Sequence, residues 1–415
     1  MATVKPFKGL RPPKDIAKEL SCLPYDVMNS EEAAQIAAGN PYSLLHITKS
    51  EIDCKKGIDI HSKEVYDKSV ANFRKFIEKG WLVQDSEEHF YIYAQTMNGR
   101  TQYGIVGCAA CQDYFDGLIK QHELTRPDKE DDRMIHIRVN NANLEPVFFS
   151  YKAVPEIDKI VGKIVYNQEP EYDFVSDDGF GHHFWIVRDK QDNLKIEKLF
   201  AEKVPYTYVA DGHHRTAAAS RIGKERMAAN PNHTGNEDYN FFMAVHFPDN
   251  QLAIIDYNRL VKDLNDLSES DFMLALGRSF EVYLMGTEIY KPTALHEFSM
   301  YLSGKWYRLV ARKGTYDDKD PIGVLDVTIL SKHLFERILN VTDLRTTQRV
   351  DFVGGIRGLE ELKRRVDSGE MKAAFALYPV SMQQLINIAD SGNIMPPKTT
   401  WFEPKLRSGL VIHQL

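Results

Sequence analysis

The chain has 415 residues, of which 43% are hydrophobic and 11% aromatic, so it can bury an active site within two or three packed subdomains. No segment approaches the roughly 20 uninterrupted apolar residues of a membrane span, so we exclude a membrane protein. The 52 basic residues against 59 acidic ones give a net charge of −7, without a basic run, which disfavours nucleic acid and leaves a small-molecule ligand as the expected partner.

The expected location is the cytoplasm, because the first ten residues contain neither an apolar run nor a small-residue cleavage site. The four cysteines are too few for a disulfide scaffold, and we expect free thiols: Cys22, Cys54, Cys108 and Cys111. The spacing of the last two matches a redox motif, but no second pair completes a zinc site, so a packed junction is favoured. A homodimer remains open.

The first third of the chain is predicted to mix short elements. A helix begins near Ser30, a strand-like run covers 42–47, and 65–79 carries apolar side chains at helical spacing until Gly80 stops it. Strands are expected at 90–95 and 102–108.

The middle of the chain is predicted to be rich in strands. Residues 114–124 have helical spacing and lead into a charge-dense loop, 125–133, which a strand or buried helix at 134–139 closes. Further strands are expected at 147–150, 184–187, 206–210, 241–247 and 252–256.

The last third returns to helices, with one ribbon and a terminal loop. Helices are predicted at 270–279, 325–339 and 359–368, and a β-ribbon at 305–312. A polar loop that contains several prolines is predicted at 395–410. We predict an α+β protein with a mixed-sheet core and added helical subdomains. Three parts are expected: an N-terminal α/β subdomain (1–145), a strand-rich central part (146–260) and a C-terminal α+β part (261–415).

A sharp strand-to-helix corner, Asp211-Gly212-His213-His214-Arg215, carries the strongest functional signal. Gly212 permits a positive φ, and the first N–H groups of the following helix form an anion site. Arg215 can hold a phosphate bidentately, while His213 and His214 can donate to oxygens or transfer protons. Asp211 can hold a divalent metal or accept a hydroxyl proton. The competing interpretation is a structural corner in which the Asp caps the helix and the Arg forms an ion pair.

Motifs along nearly the whole chain resemble the family known as domain of unknown function 1015. They are Pro24-Tyr25-Asp26-Val27, Asn40-Pro41, His122-Glu123-Leu124-Thr125, Asp132-Arg133, the stretch 210–215 and the stretch 396–405. The Asp-Gly-His-His-Arg element alone is similar to the phosphate-handling motif of free-serine kinases with a ParB/sulfiredoxin-like fold, which convert L-serine to O-phosphoserine.

The second resemblance implies that residues 211–215 bind the donor phosphates and a metal, Mg²⁺, through Asp211, on a ParB/sulfiredoxin-like corner. It also implies an upstream glutamate as base. Our candidate is Glu123, because a carboxylate at a helix end beside an Arg-rich loop can be fixed near a phosphoryl group. A helix-terminal ion pair is the alternative for Glu123.

Three further groups of side chains are candidates for phosphate or substrate contacts. The charge-dense loop supplies Arg126, Lys129, Asp132 and Arg133, which either clamp phosphate or a substrate carboxylate or form a solvated loop. The terminal loop supplies Lys398, Lys405 and Arg407, for which an exposed end without function is the alternative. Asp26 either contacts substrate or belongs to an ordinary turn.

The predicted function is a Mg²⁺-assisted phosphotransferase acting on a small hydroxylated metabolite, with free L-serine the leading acceptor by resemblance. The donor stays open among pyrophosphate, ATP and ADP, since no Walker-type loop or protein-kinase signature is present. His182-His183 follows a lone Gly-x-Gly that lacks the context of a dinucleotide site, and we favour a strand entry there. The alternatives are a nucleotide- or phosphate-binding regulatory protein without turnover, and a phosphohydrolase.

Overall fold

The protein is mixed α+β, as its sequence predicts. In the computed structural model, which describes residues 1–344 and 346–415, the described part of the chain contains thirteen α-helices and 21 strands. The chain divides into two units, the first formed by Met1–Leu252 with Pro404–Leu415 and the second by Ala253–Glu403. The structure therefore groups the predicted parts 1–145 and most of 146–260 together, because strands from both pair in one sheet.

The first unit is built on a nine-stranded mixed sheet with the order β6-β11-β8-β12-β5-β4-β10-β9, and β1 also pairs with β5. Pairs β6–β11 and β8–β12 are parallel and the other pairs antiparallel. The small pairs β2–β3 and β7–β21 complete the unit. Its strands are β1 (Val4–Lys5), β2 (Leu10–Arg11), β3 (Val83–Gln84), β4 (Tyr91–Met97), β5 (Arg100–Ala110), β6 (Ile119–Lys120), β7 (Ala142–Asn143), β8 (Val147–Tyr151), β9 (Tyr172–Val175), β10 (Gly181–Ile186), β11 (Thr207–Asp211), β12 (Phe241–Pro248) and β21 (His413–Gln414).

The helices of the first unit cover the sheet and form a smaller cluster near the N-terminus. They are α1 (Ala17–Leu20), α2 (Ser30–Ala37), α3 (Leu45–Thr48), α4 (Lys63–Glu78), α5 (Cys111–Phe115), α6 (Pro127–Asn140), α7 (Pro155–Asn167), α8 (Lys190–Lys203) and α9 (His213–Ala229). Apolar side chains of α7 and α8 pack with β4, β5 and β10 in one core, whereas α5 and α9 pack with β8, β11 and β12 in another. The site described below lies at the junction of β11 and α9.

The second unit is a six-stranded antiparallel sheet of order β15-β17-β16-β19-β14-β18, with a separate pair β13–β20. Its strands are β13 (Ile254–Ile255), β14 (Tyr257–Val261), β15 (Phe280–Gly286), β16 (Glu297–Leu302), β17 (Lys305–Ala311), β18 (Val350–Gly354), β19 (Ala373–Leu377) and β20 (Trp401–Phe402). Its helices are α10 (Glu269–Leu276), α11 (Asp326–Leu330), α12 (Gly358–Asp367) and α13 (Met382–Asp390).

Most long elements agree with the sequence prediction, and three short stretches do not. The expected strand at 42–47 is wrong, because Leu45–Thr48 forms a helical turn. The expected helix at 114–124 ends at Phe115 and gives way to β6. The charge-dense loop is helical from Pro127 onwards, since proline is well suited to the first position of a helix. The sequence does not predict helices α7, α8 and α13, nor strands β15, β16, β18 and β19, which pair with the expected ribbon and β14 in the sheet of the second unit.

Within the described residues, none of the helices has both the length and the apolar character needed to cross a membrane.

Candidate functional site

The corner between β11 and α9 has the geometry that its sequence predicts. Asp211 ends the strand, Gly212 adopts φ +92° as the N-cap, and His213 begins the helix. A Cβ on Gly212 would lie 3.0 Å from Val147 Cγ1 and 3.2 Å from Arg215 Nε, so both conformation and space call for glycine. The first N–H groups of a helix lack intrahelical acceptors and attract anions.

Asp211 is paired with a residue from the far end of the chain. Lys405 Nζ lies 2.9 Å from Asp211 Oδ2, and the other carboxylate oxygen accepts the backbone N–H of Gly212 at 2.8 Å. Burial by itself would raise the pKa of the Asp211 carboxyl, but the charges of Lys405 and Arg215 hold that pKa well below its ordinary value. Asp211 is therefore an anion at neutral pH, and it fixes the Lys405 ammonium beside the helix N-terminus.

His213 is a buried, neutral imidazole. Burial and the neighbouring His122 hold its pKa well below the ordinary value, and burial lowers the pKa of His122 to about 4. The two rings meet edge to face with centroids 4.6 Å apart. Nδ1 of His213 lies 3.9 Å from Glu123 Oε2, and its buried Nε2 has no hydrogen-bond partner among residues 1–344 and 346–415. A buried nitrogen atom of this kind is free to bind a polar ligand.

Arg215 is the buried cation of the corner. Its Nη1 donates to the carbonyl oxygen of Pro146 at 2.5 Å, and Nη2 lies 3.9 Å from Asp26 Oδ2. Burial disfavours the charged guanidinium, but Asp26 and Glu145 outweigh that effect and raise its pKa further. Nε of Arg215 is buried, and no described residue offers it a hydrogen-bond acceptor.

Arg133 contacts acidic and aromatic side chains and shares a cavity with Arg215. Its guanidinium binds Asp132, lies 3.7 Å from Glu145 Oε2 and covers the ring of Tyr25 at 3.7 Å. Arg133, Glu145 and Arg215 line a cavity of about 40 Å³. Arg133 and Arg215 thus both lie near the carboxylate of Glu145, and a phosphate or substrate contact of Arg133 stays a prediction.

His214 and Arg126 are brought together, but through a backbone group. The N–H of Arg126 donates to His214 Nε2 at 3.0 Å, while the Arg126 guanidinium forms an exposed ion pair with Asp128 at 2.8 Å. Burial lowers the pKa of His214. His214 thus anchors the segment before α6 to the corner. Lys129 lies half-buried in the first turn of α6.

The three cations predicted from the terminal loop lie in different surroundings. Lys405 forms the pair with Asp211 described above, and Arg407 binds Asp178 on the turn between β9 and β10. Lys398 belongs to the second unit, where its Nζ lies 5.7 Å from the centre of the Tyr257 ring.

Two residues that contribute to the corner were not predicted as site residues. Glu145 is buried between Arg133 and Arg215, and His122 packs on His213. His122 lies next to the candidate base Glu123 in the motif 122–125, and this position in the sequence is a signal that could have identified it as a site residue. Glu145 had none, because a glutamate before a proline at the start of a strand is ordinary.

The residues at the corner do not form a cage for a metal ion. Within the described ranges there is no group of three or more His, Cys, Asp or Glu side chains suited to one. Asp211 also holds Lys405 already. Asp211 as a metal ligand therefore stays a prediction, and no chemical step below depends on a resident metal.

The chain belongs to the family described as protein of unknown function (DUF1015), whose model matches residues 4–328. This confirms the family resemblance carried by the motifs. No curated protein matches the chain.

Several solved structures are similar over much of the chain. Two variants of a free serine kinase in complex with AMP give TM-scores of 0.35 and 0.37 at 10% and 12% identity, covering 71% of this chain and 88% and 89% of the kinase chains. A conserved hypothetical protein from Pyrococcus furiosus gives 0.33 at 12% identity, covering 69% of this chain and 87% of its own. Scores this low do not settle a function, so the proposal below rests on the residues of this chain.

Proposed function

We propose that the protein is a phosphotransferase that moves a phosphoryl group from a phosphate donor to a small hydroxylated metabolite, with free L-serine as the first acceptor to test. The observation that carries the proposal is the pair of buried nitrogen atoms, His213 Nε2 and Arg215 Nε, which lack partners among the described residues in the first turn of α9. Two such atoms in the first turn of one helix can hydrogen-bond to a polar ligand that reaches the helix N-terminus.

The charges at the corner favour a phosphate as that ligand. The N-terminus of α9 carries partial positive charge, and the cations Arg215 and Lys405 lie beside it, facing the carboxylates of Asp26 and Asp211 respectively. In the transition state of transfer, a phosphoryl group spreads negative charge over its oxygens. Fixed cations stabilise that charge most where water is excluded. Because His213 is neutral, it contributes a hydrogen bond rather than a charge.

Glu123 is the better candidate for the base that takes the hydroxyl proton of the acceptor. Asp211 was the other candidate, but Lys405 and Arg215 lower its pKa and make it a weak proton acceptor. The side chain of Glu123 is 49% exposed, 3.9 Å from His213 Nδ1, so an acceptor can reach it from solvent. The choice of serine as acceptor depends on the resemblance of the 211–215 motif.

The donor is proposed to enter as its magnesium complex. Mg²⁺ usually keeps several waters and binds through substrate phosphates with one or two carboxylates, so a dedicated cage is not required. Pyrophosphate, ATP and ADP all satisfy this description, and a compact donor such as pyrophosphate needs no nucleotide-binding loop.

The test is phosphorus NMR of the purified protein with MgCl₂ and L-serine, with pyrophosphate, ATP and ADP in separate tubes. We expect a phosphomonoester signal with at least one donor. Asp211→Asn should abolish the signal, whereas Asp67→Asn should not, because Asp67 pairs with Lys63 on an exposed helical surface.

Each other outcome assigns a different function. Donor consumption that does not depend on serine would identify a phosphohydrolase or another acceptor. Binding of a donor without its consumption would identify a regulatory binding protein. Absence of both binding and turnover with all three donors would refute the proposal.

A further inference from the structure

The turn between β9 and β10 is tied to the segment that carries Lys405 by a closed ring of hydrogen bonds. Its members are Tyr93, Ser176, Asp178, His182 and Arg407, all within the first unit. Tyr93 OH lies 2.8 Å from His182 Nδ1, and Ser176 Oγ lies 2.9 Å from His182 Nε2. Asp178 binds both Ser176 Oγ and the Arg407 guanidinium, and the N–H of Arg407 lies 3.2 Å from Tyr93 OH.

The direction of each hydrogen bond in the ring follows from the donors available. The Arg407 N–H can only donate, so Tyr93 OH accepts from it and gives its own proton to His182 Nδ1. Nδ1 is then unprotonated, and the neutral imidazole carries its proton on Nε2 and donates it to Ser176 Oγ. Ser176 in turn donates to the carboxylate of Asp178, which also accepts from Arg407.

The surroundings hold His182 in this neutral form. The side chain is 1% exposed, and burial together with the charge of Arg407 lowers its pKa to about 3. A second proton on Nδ1 would remove the acceptor for Tyr93 and open the ring.

The ring fixes the backbone that carries Lys405. On β4, Tyr93 and Gln95 point to the same face of the sheet, since they are two residues apart. Tyr93 binds the N–H of Arg407, and Gln95 Nε2 donates to the carbonyl oxygen of Lys405 at 2.9 Å. The segment 405–407 is thus attached to the sheet at two backbone atoms and to the turn through the Arg407 guanidinium.

We propose that Ser176 and His182 are positioning residues for the phosphate site, which set Arg407 and, through the 405–407 segment, the ammonium of Lys405 beside Asp211. This inference rests on the function proposed above for the site itself. It gives a role to His182, the first residue of the His182-His183 pair for which the sequence indicates only a strand entry. His183 lies on the opposite face of β10, where it binds Asp173 at 2.9 Å, so the two neighbours differ in role.

The test compares variants of the ring with matched variants beside it. Ser176→Ala and His182→Phe break the ring, and Ser176→Thr keeps the hydroxyl. Asp177→Ala changes a fully exposed neighbour in the same turn, and His183→Phe changes the neighbouring imidazole on the other face.

The first readout is independent of activity. NMR measures how fast the side-chain Nε–H of Arg407 exchanges with solvent. Its signal is assigned as the one that disappears in Arg407→Lys. We expect slow exchange in the wild type, because Nε is buried. We expect the Arg407 Nε–H to exchange faster with solvent in Ser176→Ala and His182→Phe, and at the wild-type rate in Ser176→Thr and both controls. In the nitrogen NMR spectrum of the wild type, we expect the Nε2–H tautomer of His182. Unchanged exchange in the ring variants, or equal changes in the controls, would overturn the inference.

The second readout is calorimetric binding of magnesium pyrophosphate. Loss of one charge-assisted contact typically weakens binding about tenfold. We therefore expect Ser176→Ala to bind magnesium pyrophosphate about tenfold more weakly than the wild type, and Ser176→Thr to bind it with wild-type affinity. Wild-type affinity in Ser176→Ala would refute positioning of Lys405 by the ring. If the wild type binds no donor, the proposed function fails while the exchange measurement still decides whether the ring positions Arg407.

Discussion

Lys405 and Asp211 form a salt bridge of 2.9 Å although they are 194 positions apart in the chain. The pair joins a strand end in the middle of the sequence to the terminal segment. It also explains how Asp211 keeps its charge in a largely buried position, because the ammonium compensates the cost of burial.

Lys405→Met should move the pKa of Asp211 upward toward its ordinary value, since the largest favourable charge is removed. A carboxyl whose folded pKa is depressed stabilises the protein above its unfolded pKa, and that stability is lost as pH falls through the folded value. The variant should therefore have a lower free energy of unfolding than the wild type at neutral pH. On acidification, its free energy of unfolding should fall by less than that of the wild type. Carbon NMR titration of the Asp211 carboxyl measures the shift, and an unchanged pKa would contradict the assigned cause.

Arg215→Lys should lower the free energy of unfolding by about 2 kcal/mol, because lysine cannot keep the bond to Pro146 and still face Asp26 and Glu145. It should also weaken pyrophosphate binding about tenfold. Urea unfolding and calorimetry measure the two effects. Arg221→Lys on the exposed side of the same helix is the control, and equal effects of both variants would argue against a special role of Arg215.

Gly212→Ala should destabilise the protein by about 1–3 kcal/mol, because φ is +92° and the new Cβ would crowd Val147 and Arg215. Gly162→Ala is the matched control. Gly162 lies exposed in α7 with open space around a Cβ, so alanine there should stabilise by about 1 kcal/mol. Thermal or urea unfolding compares the two, and effects of the same sign would contradict the assigned geometry.

His246→Leu should stabilise the protein most at acidic pH. His246 is fully buried between Phe149 and Phe200, neither ring nitrogen finds a hydrogen-bond partner in the described part of the chain, and burial lowers its pKa to about 3. Unfolding then takes up a proton wherever the pH lies below the ordinary histidine value, so the wild type loses stability as pH falls. At about pH 5 this costs ~2 kcal/mol, which leucine avoids.

The measurement for His246→Leu is urea unfolding of both proteins at about pH 8 and about pH 5. The stability difference should grow in favour of leucine on acidification. A difference that is the same at both pH values would show that His246 titrates normally.

The corner at 211–215 could be predicted from sequence because its signals are local. A buried strand, a glycine and an Ala-rich helix follow one another, and each acts within a few residues. The pairing of Lys405 with Asp211 could be expected only as a hypothesis, since no local rule places two residues so far apart in contact.

Helix α6 shows why a charge-dense segment is hard to predict as a helix. Its buried face carries Asp132, Arg133 and His136 beside the apolar Met134, and the charged Asp132 and Arg133 are held by ion pairs. A helix that buries charges lacks the apolar stripe on which prediction depends. Glu145 escaped prediction for a related reason, because its partners come from distant parts of the chain.

The first unit is assembled from two stretches of chain, with the whole of Ala253–Glu403 synthesised between them. Domains generally begin to fold as they leave the ribosome. The large sheet and the corner between β11 and α9 can therefore form early, but Lys405 and Arg407 are translated only after the second unit. A nascent or prematurely terminated chain would hold Asp211 without its counter-ion, so translation itself would delay assembly of the complete site until the second unit has been made.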